Sequence, residues 1–125
     1  MRHILLVDDD RSVLQFLGHA LSPEYHLTVA RDGFEALAAA ERAVHIDLLI
    51  TDYLMPSMLG DELIARVRER QPGLQVLVMT GHSGVLDGEA GLWWQSHPHL
   101  DKPFHLETLR QRVSDLIGEA HAVDQ

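Results

Sequence analysis

The chain has 125 residues, 46% of them hydrophobic and 23% charged, which suits one globular domain with a buried core and excludes a disordered composition. Absence of cysteine excludes disulfides and thiolate chemistry, and no apolar run is long enough to span a membrane. A net charge of −9 argues against holding nucleic acid, although nine histidines make that charge vary strongly between about pH 5 and 8.

The first element follows at once. Ile4-Leu5-Leu6-Val7 is a continuous apolar run, the mark of a strand buried on both faces of a parallel sheet. Met1-Arg2-His3 leads into it without a signal-peptide pattern, so a cytoplasmic protein with no membrane contact is expected. The run ends in Asp8-Asp9-Asp10. Val13, Leu14, Leu17 and Leu21 then share one helix face, closed by Ser22-Pro23. Residues 27–30 form a second apolar run, and Phe34, Leu37, Ala38 and Ala40, to about Arg42, pattern a second helix. Residues 48–51 form the third run and end in Asp52; Leu63, Ile64 and Val67 mark a third helix stopped by Pro72-Gly73. The fourth run, residues 76–79, ends in Thr80.

Residues 83–95 make the poorest predicted helix, because Gly84, Gly88 and Gly91 each cost roughly 1 kcal/mol relative to alanine. Trp93 and Trp94 lie at its end. Adjacent helical positions point about 100° apart, so one is expected in the core and the other at the surface, as an ordinary exposed aromatic or an interface anchor. A short fifth strand is predicted at 97–100, interrupted by Pro98. After Pro103, residues Leu106, Leu109, Val113, Leu116, Ile117 and Ala120 follow helical spacing.

Alternating strands and helices imply a doubly wound α/β fold with five parallel strands and five helices, the fourth weak. In such sheets ligands bind beyond the carboxyl ends of the strands. Asp8 and Asp9, Asp52, Thr80 and Lys102 all fall on that one edge. Lys102 is the single lysine among ten basic residues. Acidic residues at strand ends usually serve as caps, and Asp9 or Asp10 fits that role for the first helix. Convergence of all of them is what points to chemistry. Crowded carboxylates need shared protons or a cation, and Mg²⁺ takes carboxylates together with phosphate oxygens. An aspartate can also act as a nucleophile toward a phosphoryl group, with Lys102 and the Thr80 hydroxyl steadying the transferred oxygens.

The strings ILLVDDD, DLLITDYLMPSMLG, VLVMTG and LDKPF, in that order, make the whole chain resemble a receiver domain of two-component response regulators. The resemblance implies the flavodoxin-like strand order 2-1-3-4-5 and a receiver unit over residues 1–121 with a tail at 122–125. It implies a signalling switch that accepts a phosphoryl group on Asp52 from a sensor histidine kinase or histidine phosphotransfer protein and turns over no external substrate. Asp8, Asp9, Asp52 and the Leu54 carbonyl resemble the Mg²⁺ ligands, Thr80 the switching hydroxyl and Lys102 the phosphoryl-binding lysine. The resemblance further implies a cis bond before Pro103 and, at Met55-Pro56 and Gly60, the loop after the acceptor. Partner binding, as a homodimer or to an effector, is implied for the face of the fourth helix, fifth strand and fifth helix.

Some positions depart from the family pattern. His99 stands where receivers usually carry the aromatic that moves with Thr80, so it is the switch candidate here. Leu54 and His82 occupy positions that tune phosphoryl lifetime in the family. His97, His99 and His105 permit a metal site but lack the tight spacing of zinc ligands. The main rival is a phosphatase of the haloacid-dehalogenase type; it resembles an Asp-x-Asp pattern, whereas this chain reads Asp52-Tyr53-Leu54. A second rival is a receiver-like module that is never phosphorylated. A stand-alone receiver and a segment of a longer regulator both fit.

Overall fold

The apolar runs become parallel strands in a computed structural model that describes residues 1–22, 24–43, 45–53, 58–80 and 97–118. The strands are β1 (His3–Val7), β2 (His26–Ala30), β3 (Leu48–Asp52), β4 (Gln75–Thr80) and β5 (His99–Asp101). The described helices are α1 (Arg11–Leu21), α2 (Gly33–Arg42), α3 (Gly60–Arg70) and α4 (Leu106–Ile117). The sheet runs β2-β1-β3-β4-β5 with every pairing parallel. From β1 the chain goes outward to β2 and then returns past β1 to β3, so strand order reverses between β1 and β3.

Alternation along the strands divides the core in two. Leu5, Val7, Leu49, Val76 and Val78 face one layer with Ala36, Ala39 and Ala40 of α2 and Leu63, Ile64 and Val67 of α3. Ile4, Leu6, Leu48, Ile50, Leu77 and Met79 face the other, with Leu14 and Leu17 of α1 and Leu109, Val113 and Ile117 of α4. Both faces of the central strands are therefore dry, which is why β1, β3 and β4 read as unbroken apolar runs.

Local signals set the helix starts. Asp10 caps α1, its carboxylate accepting the Ser12 N–H at 2.9 Å. Asp32 caps α2 by accepting the Glu35 N–H at 2.8 Å, while Glu35 reaches back to the Arg31 N–H at 3.0 Å. Gly118 ends α4 at φ 79°, where an L side chain is disfavoured, and its carbonyl accepts the Tyr25 hydroxyl at 3.1 Å.

Two expectations need correction. The buried face of α2 is Gly33, Ala36, Ala39 and Ala40, while Phe34 is exposed and Leu37 only partly buried. The cause is close approach: a Cβ on Gly33 would lie 2.8 Å from the Met58 Cβ, so small residues must face inward here. The fifth strand is His99–Asp101 rather than 97–100. Pro98 has no N–H for the ladder and takes part only through its carbonyl, which accepts the Val78 N–H at 2.9 Å. The predicted helix at 83–95 with Trp93 and Trp94, as well as His82, Leu54 and Met55-Pro56, lies outside the described residues. Among the described residues no helix is long and apolar enough to cross a membrane.

Candidate functional site

The reversal of strand order brings β1 and β3 side by side, and their register pairs Val7 with Thr51. One step further along each strand stand Asp8 and Asp52. Asp8 has no solvent exposure. Its Oδ1 accepts the Asp10 N–H at 2.8 Å, and its Oδ2 accepts the Lys102 ammonium at 2.8 Å. The same ammonium lies 3.4 Å from Oδ2 of Asp52. Lys102 thus reaches back from the end of β5 across the β4 edge to join both carboxylates. Its own N–H donates to the Thr80 carbonyl at 2.7 Å, and the Lys102–Pro103 peptide bond is cis.

Asp9, which is exposed, completes an acidic triplet. One oxygen each of Asp8, Asp9 and Asp52 lies within 4.8 Å of the others, the only such group of His, Asp or Glu among the described residues. Opposite ligands of a Mg²⁺ ion are about 4.2 Å apart, twice the usual metal–oxygen distance, so a small adjustment would bring all three into one coordination shell. Charge agrees with size. Three carboxylates against one ammonium leave two negative charges uncompensated, the balance that a divalent cation neutralises. The donor set therefore fits Mg²⁺.

The electrostatics show which groups are uncomfortable. Burial pushes the Asp52 carboxyl above the usual carboxylate range; Lys102 opposes this, while Asp8 and Asp9 add to it. Burial disfavours the Lys102 charge, but the bond to Asp8 and the nearby Asp52 outweigh it and hold the ammonium above its ordinary value. The Lys102 cation is thus firmly charged, and Asp52 is the carboxylate whose charge its surroundings disfavour.

Thr80 ends β4, almost fully buried, and its strand partner is Asp101. The Thr80 hydroxyl donates to Oδ1 of Asp101 at 2.7 Å. In the sequence Asp101 stands within Leu-Asp-Lys-Pro-Phe with no role implied. The available signal was an acidic residue directly before the lysine, but its partner depends on the β4–β5 register.

His99 pairs with Val78, two rungs before Thr80. Its Nδ1 lies 3.3 Å from the His97 carbonyl, and its own carbonyl accepts from Arg112 at 3.2 Å. With Asp101, Phe104, His105, Thr108 and Arg112, it lines an open cavity of about 290 Å³ between β5 and α4. His97 lies outside the strand, and burial together with Arg68 lowers its pKa.

The profile of the response regulator receiver domain matches residues 4–114. The chain belongs to that family. It is 35% identical over 125 residues to the transcriptional regulatory protein GlrR of Escherichia coli, covering 98% of this chain and 28% of that protein. It is 38% identical over 115 residues to the response regulator MprA of Mycobacterium leprae, covering 91% of this chain and 50% of MprA. The chain therefore spans between about a quarter and a half of these relatives' lengths. Among solved structures, the chemotaxis response regulator CheY4 of Vibrio cholerae matches with a TM-score of 0.76 and 33% identity, over 93% of this chain and 98% of that one. A response regulator receiver domain from Clostridium thermocellum matches with a TM-score of 0.79 and 26% identity, over 94% of each chain. Mg²⁺ and phosphoaspartate are typical of receiver domains, and Asp8, Asp9 and Asp52 form a group that could hold a metal ion.

Proposed function

We propose that this receiver accepts a phosphoryl group on Asp52 from the phosphohistidine of a sensor histidine kinase or histidine phosphotransfer protein. The observation that carries the reading is the Lys102 ammonium held between Asp8 and Asp52, 2.8 and 3.4 Å away, beside an acidic triplet fit for a divalent ion.

A carboxylate oxygen of Asp52 attacks phosphorus, a P–O bond forms and the P–N bond to the donor imidazole breaks. The bonding pair returns to the ring nitrogen, and with a proton already on the other ring nitrogen the donor leaves as neutral imidazole. Lys102, charged throughout, balances the oxygens of the transferred group, and the Thr80 hydroxyl donates to one of them. Asp8, Asp9 and Asp52, with the Leu54 carbonyl, would hold Mg²⁺, which supplies charge neutralisation on the phosphoryl oxygens when bound. The chain's own residues thus serve one self-modifying cycle, and no external substrate is turned over.

The readout is a two-state shift of Thr80 and His99 that reshapes the surface around β5 and α4. A homodimer partner or an effector would meet the cavity lined by His99, His105 and Arg112. Intact mass after treatment with acetyl phosphate and Mg²⁺ tests the reading. The wild type gains about 80 Da and Asp52→Ala gains nothing. An unmodified wild type refutes it.

A further inference from the structure

The Thr80 hydroxyl, on the proposed reading, has to donate to a phosphoryl oxygen on Asp52. Its proton is already committed: it goes to Oδ1 of Asp101 at 2.7 Å. We infer that Asp101 is a positioning residue that latches Thr80 away from the phosphoryl site, and that phosphorylation signals by breaking this bond. The inference rests on the phosphoacceptor reading above.

Three observations support it. First, the bond is short and runs to a carboxylate, the stronger class of hydrogen bond. Second, its ends differ in environment. Thr80 is 1% exposed and depends on a protein acceptor, whereas Asp101 is exposed and is rehydrated when released. Opening the latch therefore costs the Thr80 side until another acceptor takes the proton, and the phosphoryl oxygens are that acceptor. Third, the backbone beneath is fixed. Thr80 and Asp101 are Cα partners, and the Lys102 N–H donates to the Thr80 carbonyl at 2.7 Å. Exchange of partners therefore requires only the side chains to move.

The latch also links the site to the signalling surface. Asp101 lines the same β5–α4 cavity as His99, His105 and Arg112. When Thr80 leaves, an unpaired carboxylate is freed at that cavity and becomes available to a partner's cationic or donor group. By linkage, a partner that binds the freed carboxylate favours the phosphorylated state by the same factor.

The test uses beryllofluoride with Mg²⁺ as the phosphoryl analogue, titrated against the chain and followed calorimetrically, with acetyl phosphate labelling of Asp52 in parallel. Asp101→Ala removes the competing acceptor, so beryllofluoride is expected to bind about fivefold more tightly than to wild type. Asp101→Asn keeps a weaker, neutral acceptor and should fall between them; it carries the test if the alanine variant does not fold. In a Thr80→Val background, which has no hydroxyl to latch, Asp101→Ala should change nothing. A gain that persists in Thr80→Val would show that Asp101 acts through its charge alone and would overturn the latch. So would equal affinities for wild type and both Asp101 variants. If acetyl phosphate labels wild type normally in that case, the phosphoacceptor reading survives and only the latch is lost. A wild type that takes no phosphoryl group overturns both.

Discussion

Asp47 precedes β3 and Asp52 ends it, and the fold treats the two aspartates oppositely. Asp47, just before the strand, accepts the His3 N–H at 2.9 Å, the His45 ring at 2.8 Å and Arg2 at 3.5 Å. Burial alone would raise its pKa, yet these donors lower it. Asp52, at the other end, shares one ammonium with Asp8 and faces the carboxylates of Asp8 and Asp9, and its pKa is raised. A carboxylate with donors enough contributes to the fold, and a crowded one stores a demand for further positive charge. The amino-terminal edge of this sheet is built for stability, and the carboxyl-terminal edge holds groups poised for a ligand.

The strongest way to break the contrast is to remove the shared cation. Lys102→Met leaves Asp8 fully buried with no opposite charge, and should cost about 3 kcal/mol in Mg²⁺-free urea unfolding. Added Mg²⁺ should recover part of that loss by binding the folded state, and withdrawing it with chelator should restore the deficit. Equal stability of wild type and variant without Mg²⁺ would mean that Lys102 is not the balancing charge.

Next comes the satisfied end. Asp47→Ala leaves the His3 N–H without its acceptor and should cost about 2 kcal/mol. The sign with pH follows from the lowered pKa. Stability from Asp47 is fully present above its unfolded value near 3.8 and is lost as pH falls through the still lower folded value. The gap between wild type and Asp47→Ala should therefore hold at neutral pH and close only below about pH 4.

The smallest effect carries the opposite sign. Asp52→Asn should stabilise the Mg²⁺-free fold by on the order of 1 kcal/mol while abolishing phosphorylation, because it relieves carboxylate crowding at a functional site. Here the folded pKa lies above 3.8, so the cost of ionised Asp52 is full at neutral pH and disappears as pH falls through the raised value toward 3.8. Chemical denaturation of both proteins at several pH values measures this. A destabilised Asp52→Asn would contradict the comparison, since both ends of β3 would then be stabilising.

Much of this contrast was written in the chain. Asp8, Asp9 and Asp52 stood out because each follows an apolar run that needs two dry faces, and Lys102 because it is the single lysine. Other parts were hidden for definite reasons. The role of Asp47 is not legible in the sequence because two of its donors, Arg2 and His3, meet it only when β1 pairs with β3. The buried face of α2 is not legible from hydrophobicity, because the large residue Phe34 is exposed and contact between Gly33 and Met58 decides what fits.

Local patterning is enough for the order of the described strands and helices, the parallel class of the sheet and the edge on which the acidic residues and the lysine gather. Those follow from hydrophobic periodicity and from strand ends, which are local properties of the chain. How charges and protons are shared across that edge depends on the tertiary fold. It gave Asp8 and Asp52 one ammonium between them, and it set Asp101 against Thr80, 21 residues away, by fixing the register of β4 and β5. Register between strands is set by packing on both faces of the sheet, and no short stretch of sequence contains it.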